Sequence, residues 1–274
     1  MTALERWAED LRGWGIPDEI LARAPESPWG FPPELMHRRV SIALRDPPTP
    51  SAGRAREALP PGGSVLDVGV GTGAASLPLA DRAGQITGVD TSEDMLAAFL
   101  EVARRLGVRT RAVCGRWPDV SRDVIPADVV VCHHVLYNVQ DLAPFVQALH
   151  QHARRRVVVE ITERHPLSWM NGLWRRFHGL RRPTGPSADD AALALGELGF
   201  DAHLERVTAR PRSSGFERRE DAVSLVRRRL CLSAERDDEI AEALGDLLVE
   251  RDGLWSAGPL EQTLVTLWWD ADGD

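Results

Sequence analysis

An α/β fold built on a parallel sheet is the class this sequence predicts, on three observations. Short apolar runs recur through the chain without the polar alternation of a half-solvated strand. Helix-period segments separate them, which is how both faces of a parallel sheet become covered. The first run leads straight into the glycine-rich stretch Gly69-Val70-Gly71-Thr72-Gly73.

Composition agrees with a globular protein. Of 274 residues, 43% are hydrophobic and 27% charged, which excludes a disordered chain, a coiled coil and a collagen. No stretch approaches the roughly 18 apolar residues of a membrane span. The acidic start, Met1 to Asp10, lacks the basic-then-apolar pattern of a secretion signal, so a soluble, cytoplasmic protein is expected. The net charge of −8 makes a poor generic binder of nucleic acid. Every basic side chain other than histidine is arginine, which excludes Schiff-base lysine chemistry. The Arg runs 154–156 and 227–229 therefore read as solvated faces. Three scattered cysteines, Cys114, Cys132 and Cys231, fit buried thiols, and no Cys/His spacing suggests a metal site.

The elements follow in order. Leu4, Trp7, Leu11 and Trp14 are spaced 3, 4 and 3, one face of a helix. The turn Ser27 to Pro33, carrying Trp29 and Phe31, precedes a short helix at 34–45, which Asp46 to Pro50 stops. Residues 1–50 thus read as a helical N-terminal lid segment, and 51–274 as the main domain. Strands are expected at 64–69, 85–90, 109–114, 127–132, 156–161, 200–207 and 263–269. Helices are expected at 73–82, 91–106, 141–152, 166–180, 187–198, 219–230 and 234–249. Thr91 with Asp94, and Ser187 with Asp190, carry capping-box spacing. Helical insertions fall at about 165–182 and 215–250.

The glycine loop carries the chemistry. Glycines allow a sharp turn and a close approach to backbone amides. Asp90 ends the next strand, where a carboxylate can accept both hydroxyls of a ribose. Gly69-x-Gly71-x-x-Ala74 also satisfies a dinucleotide fingerprint. Three features favour S-adenosylmethionine instead. Asp67, two residues before the first glycine, suits an ammonium better than a pyrophosphate. No Arg lies near the start of the following helix to compensate a diphosphate. A strand also comes late, after a run of helices, as in an added antiparallel hairpin.

The Asp67–Gly73 signature, Asp90, and the strand Asp128–Cys132 with its sequel His133-His134-Val135-Leu136-Tyr137 resemble a class I S-adenosylmethionine-dependent methyltransferase. The similarity is to the small-molecule group that includes quinone-biosynthesis enzymes, and it covers about residues 55–165. It implies a Rossmann-like, mostly parallel seven-stranded sheet ordered 3-2-1-4-5-7-6 with strand 7 antiparallel. It also implies that Gly69, Gly71 and Gly73 line the methionine part, Asp67 faces the amino group and Asp90 holds the ribose. Thr91 and Met95 flank the adenine side. Gly115-Arg116-Trp117 matches the adenine segment, but Arg116 stands where the family often has an acid, and a guanidinium cannot accept a hydrogen bond. Recognition there falls to backbone groups, with Trp117 or Arg116 stacking. Cys132 and His133 would touch the methionine end through backbone atoms.

Methyl transfer is an in-line displacement that needs a base only where the acceptor must lose a proton. His134, His165 and Tyr137 are the candidates, with His134 preferred. The partner implied is a small-molecule acceptor, with no nucleic acid, membrane or metal. An RNA methyltransferase, a non-catalytic cofactor-binding protein and an NAD(P)-dependent oxidoreductase stay open as alternatives. The oligomeric state is not legible.

Overall fold

Seven strands form one sheet in the computed structural model, which describes residues 1–30, 32–209 and 215–271. They are β1 (Gly63–Val68), β2 (Ala83–Asp90), β3 (Arg109–Cys114), β4 (Ala127–His133), β5 (Ala153–Thr162), β6 (His203–Ala209) and β9 (Gln262–Asp270). Their order is β3-β2-β1-β4-β5-β9-β6, and β9 runs antiparallel to both neighbours. This is the expected order, because β9 is the seventh strand of the sheet. A separate hairpin, β7 (Leu248–Arg251) and β8 (Leu254–Ala257), intervenes in sequence.

Period-2 alternation gives the sheet two faces. Leu66, Val68, Val130, Cys132, Val157, Val159 and Ile161 face one layer. That layer is made by α1 (Ala3–Arg12), α6 (Leu142–Gln151) and α8 (Ala188–Glu197). Val65, Val129, Val131 and Val158 face the other. There α3 (Pro33–Arg45), α4 (Pro50–Ala58) and α5 (Glu93–Leu106) contribute Val40, Ala55, Leu96 and Phe99. A third cluster joins α7 (Asn171–His178), α9 (Arg219–Arg229) and α10 (Asp237–Leu244), with α2 (Asp18–Leu21) supplying Ile20 and Leu21.

The N-terminal segment is part of this core. Trp7 is fully buried, stacks on Tyr137 and donates its indole N–H to the Val139 carbonyl at 2.8 Å. Leu35 and Val40 are buried as well.

Several elements differ from their sequence reading. The helix expected at 73–82 is a set of turns with a 3-10 turn at Leu77–Leu79. Gly73 sits at φ +90, and Pro78 supplies no N–H to a regular helix. The cap of α5 is Ser92, whose hydroxyl accepts from the Met95 N–H at 3.3 Å, so Thr91 lies one residue outside. α7 starts late, after a 3-10 turn at Ser168–Met170. The helix expected to reach 249 stops at Gly245, which adopts φ +48 and ψ −124, and the chain turns into the β7–β8 hairpin through Asp252 and Gly253, both at positive φ. The helix α4 has no counterpart in the sequence reading, although Thr49 caps it and Pro50 begins it. Cys114 is exposed, so only Cys132 and Cys231 fit the expectation of buried thiols. Among the described residues no helix is long and apolar enough to cross a membrane.

Candidate functional site

The carboxyl ends of β1, β2, β4 and β5 bring the chemistry-bearing residues to one edge of the sheet. Asp67 shares the face of Val65, and it is fully buried. One of its oxygens accepts from the Ser76 hydroxyl at 2.6 Å. The other, Oδ1, is buried without a hydrogen-bond partner among the described residues. Burial, with the charge of Asp90 as a smaller cause, pushes the Asp67 carboxyl up to about 7. A buried carboxylate with one bare oxygen favours a cationic donor beside it.

The glycine loop lies over Asp67. Gly69, Gly71 and Gly73 all have positive φ. At Gly69 a Cβ would lie 2.3 Å from the Val135 methyl, so this glycine lets the segment after β4 approach the loop. Gly71 lies under α3, where a Cβ would meet Met36 at 3.3 Å, and the Thr72 hydroxyl donates to the Met36 carbonyl at 3.0 Å.

The first three amides of the loop are already used. Gly69 and Val70 donate to the Val89 carbonyl, and Gly71 donates to Asp90 Oδ2 at 2.9 Å. A pyrophosphate needs free N–H groups at such a loop, usually at a helix N-terminus. Here the amides point at a carbonyl and a carboxylate, no regular helix follows, and two acids line the floor. That arrangement disfavours a dinucleotide. Asp90 Oδ1 accepts from the Ser92 N–H at 3.0 Å, and each Asp90 oxygen keeps a second lone pair for a hydroxyl.

Beyond the ends of β2 and β3, Thr91 is exposed, Met95 is half-buried at the start of α5, and Arg116 is exposed. Gly115 is held by its N–H on the Asp90 carbonyl at 2.9 Å. Trp117 does not stack there. Its ring is buried against the α6 layer and donates to the Phe145 carbonyl at 3.3 Å, which corrects its expected role and leaves Arg116 as the side chain at the surface. Cys132 is fully buried on the opposite face of β4, with burial raising its thiol pKa, so only its backbone faces the edge.

The segment after β4 is organised by a residue that sequence reasoning missed. Glu160 pairs with His133 across β4 and β5, and its buried carboxylate receives the Ser51 hydroxyl at 2.6 Å. His134 Nε2 lies 3.3 Å from Glu160 Oε1, and the His134 N–H donates to the Glu160 carbonyl at 2.7 Å. His134 has φ +59, an uncommon conformation for a residue with a side chain, and its ring is about half exposed. His133 Nδ1 lies 4.0 Å from Glu160, and its Nε2 is buried without a hydrogen-bond partner among the described residues. Burial pushes His133 down to about 4, so it is neutral at pH 7. Burial alone would raise Glu160, but His133, His134 and Ser51 together hold it down at about 2.

The other two catalytic candidates are committed elsewhere. Tyr137 donates its hydroxyl to the Thr162 carbonyl at 2.7 Å, and burial raises its pKa. His165 is stacked on Trp14 at 3.7 Å, its Nδ1 accepts from the Leu167 N–H, and burial with nearby Arg182 pushes it down to about 3. Both belong to the packing around α1. Trp29 is 54% exposed, and Phe31 lies outside the described residues. Met36 of the same segment touches the loop. Among the described residues no cluster of three or more His, Cys, Asp or Glu side chains is placed to hold a metal.

The sheet order, the antiparallel last strand and the glycine loop between two acids define the class I methyltransferase architecture. A family model described as "Methyltransferase domain" matches residues 65–156. The methyltransferase domain match and this sheet order together support a class I S-adenosylmethionine-dependent methyltransferase. The chain is 26% identical over 212 residues to an uncharacterized protein of Haemophilus influenzae, with 76% of each chain covered. It is 32% identical over 127 residues to the ubiquinone biosynthesis O-methyltransferase of Idiomarina loihiensis, covering 43% of this chain and half the length of that relative. Among solved structures it shares its fold with a cyclopropane-fatty-acyl-phospholipid synthase-like protein from Lactobacillus casei (TM-score 0.54, 18% identity, 92% of this chain and 98% of the other). The YcgJ protein of Bacillus subtilis is also similar (TM-score 0.52, 15% identity, 87% of this chain and 100% of the other).

Proposed function

We propose that this enzyme moves a methyl group from S-adenosylmethionine to a hydroxyl of a small-molecule acceptor. The observation that carries the first half is Asp67, a buried carboxylate with one unpaired oxygen beside a glycine loop whose Gly69, Val70 and Gly71 amides are spent on Val89 and Asp90. These residues fit a ligand bearing an ammonium and a ribose and do not fit a pyrophosphate. In this reading Asp67 holds the amino group, Gly69, Gly71 and Gly73 line the methionine part, and Asp90 accepts the ribose hydroxyls. Thr91, Met95, Gly115 and Arg116 border the base, while Cys132 and His133 contribute backbone groups. When bound, this donor supplies a methyl carried on a positively charged sulfur. Met36 and the N-terminal segment close the loop from above, acting as the lid.

The likeness to an O-methyltransferase supports oxygen as the attacking atom. His134 supports it from within the chain, because it is both solvent-accessible and backed by a carboxylate. It takes the hydroxyl proton, whereas Tyr137 and His165 keep the segment packed. Holding the acceptor in attack geometry contributes the larger share, roughly 7–11 kcal/mol in well-oriented systems. Calorimetry with S-adenosylhomocysteine and with NAD tests the donor assignment. Binding of the former alone is expected; binding of NAD without S-adenosylhomocysteine would reject it.

A further inference from the structure

Resting on the reading of His134 as the base, we propose that Glu160, clamped by Ser51, is the positioning residue that fixes the His134 ring with Nδ1 turned outward as the proton acceptor. The hydrogen-bond directions are determined by the donors present. An ionised carboxylate only accepts, so the Ser51 hydroxyl donates to Glu160 Oε2. Ser51 Oγ also lies 2.8 Å from Thr49 Oγ1, and because the Ser51 hydrogen is spent on Glu160, Thr49 is the donor in that pair. The chain of donors therefore runs Thr49 to Ser51 to Glu160. Thr49 is the cap of α4, and Ser51 lies in its first turn, fully buried. The helix end adds its partial positive charge on the same side.

Glu160 Oε1 is left facing His134 Nε2 at 3.3 Å. A neutral imidazole next to a carboxylate oxygen keeps its hydrogen on the facing nitrogen. The lone pair then resides on Nδ1. The backbone bond from the His134 N–H to the Glu160 carbonyl ties the same two residues a second time and holds the left-handed turn at His134. His133 does not compete, since it is buried and neutral.

In the step this serves, the acceptor's O–H proton passes to Nδ1, and an oxygen lone pair forms the new bond to the methyl carbon. The carbon–sulfur bond breaks with its pair going to sulfur, which becomes a neutral thioether. The imidazolium so formed pairs with Glu160 and returns its proton to water through its exposed side. The arrangement parallels the orienting carboxylate of hydrolase triads, where amide replacement leaves the geometry but installs the wrong tautomer.

The test is a ¹⁵N imidazole NMR measurement on the full chain without any ligand, assigned by loss of the signal in His134→Asn. In the wild type His134 should carry its hydrogen on Nε2. In Glu160→Gln the amide oxygen takes the Ser51 hydrogen, its NH₂ faces Nε2, and the hydrogen should move to Nδ1. In Ser51→Ala/Glu160→Gln the amide is free to turn, and Nε2–H should return as the main form. A wild-type Nδ1–H tautomer, or a tautomer unchanged in Glu160→Gln that melts like wild type, overturns the proposal. S-adenosylhomocysteine affinity of the same variants should stay within about threefold of wild type. Failure of the wild type to bind it would reject the donor reading while leaving the tautomer result standing on its own.

Discussion

Replacing Asp67 with Asn should make the ligand-free enzyme more stable at pH 8 and less stable at pH 4. Asp67 is fully buried, and its pKa rises from an ordinary 3.8 to about 7 in the folded chain. By linkage, the folded state then binds more protons than the unfolded state between those values, so stability falls as pH rises from about 4 to about 7. The penalty is complete above 7, where the difference in pKa corresponds to about 4 kcal/mol. The Asp67→Asn substitution removes that penalty. The amide oxygen can still accept from Ser76, but the NH₂ then faces the position of Oδ1 without a partner and costs about 1–3 kcal/mol. The net gain at pH 8 is about 1–3 kcal/mol. At pH 4 the wild-type side chain is already largely neutral, and only the cost of the amide remains. Urea unfolding of both proteins from pH 4 to 8 should therefore give stability curves that cross. With S-adenosylhomocysteine present the advantage at pH 8 should largely disappear, because the ammonium loses a charge-assisted partner worth about 1.5–3 kcal/mol. Parallel curves with the Asp67→Asn variant less stable throughout would refute the account of Asp67 as a strained, ligand-seeking carboxylate.

The sheet was legible because its central strands carry apolar runs such as Val129-Val130-Val131 and Val157-Val158-Val159, as strands buried on both faces do. What failed was local punctuation. Pro78 breaks the helix after the glycine loop, and Gly245 with Asp252-Gly253 turns an expected helix into a hairpin; both signals are present in the sequence but weigh less than periodicity. Half of the proposed site was equally legible, since Asp67, the glycines and Asp90 are consecutive in one strand–loop–strand unit. Glu160 was not, because its partner Ser51 is 109 residues away. Inside Val157-Val158-Val159-Glu160-Ile161 it reads as one polar residue in a buried strand, although a lone carboxylate there is itself a signal of a buried partner. Trp117 shows the converse case. An aromatic after a glycine reads the same whether it stacks on a base or packs inward, and only the Phe145 carbonyl decides.

Asp90→Ala should lose S-adenosylhomocysteine affinity and also stability, because the Gly71 and Ser92 amides both lose a charged acceptor. A melt lowered together with affinity is expected, and an unchanged melt would show that the loop does not need this brace. The remaining prediction concerns Trp7, which decides whether the first 50 residues are a lid on a finished domain or part of it. Trp7 is fully buried, its ring stacks on Tyr137 at 5.6 Å, and its N–H satisfies the Val139 carbonyl. Trp7→Ala should cost about 3–5 kcal/mol, the usual range for truncating a buried Trp. The loss acts on the 3-10 turn Leu136–Asn138, which closely follows His134, so S-adenosylhomocysteine affinity should fall less than stability and the His134 tautomer should become mixed. Equilibrium denaturation checks the first effect and imidazole NMR the second. A loss below about 1 kcal/mol, far under the cavity range for a residue this deeply buried, would mean that α1 lies on the domain without supporting it.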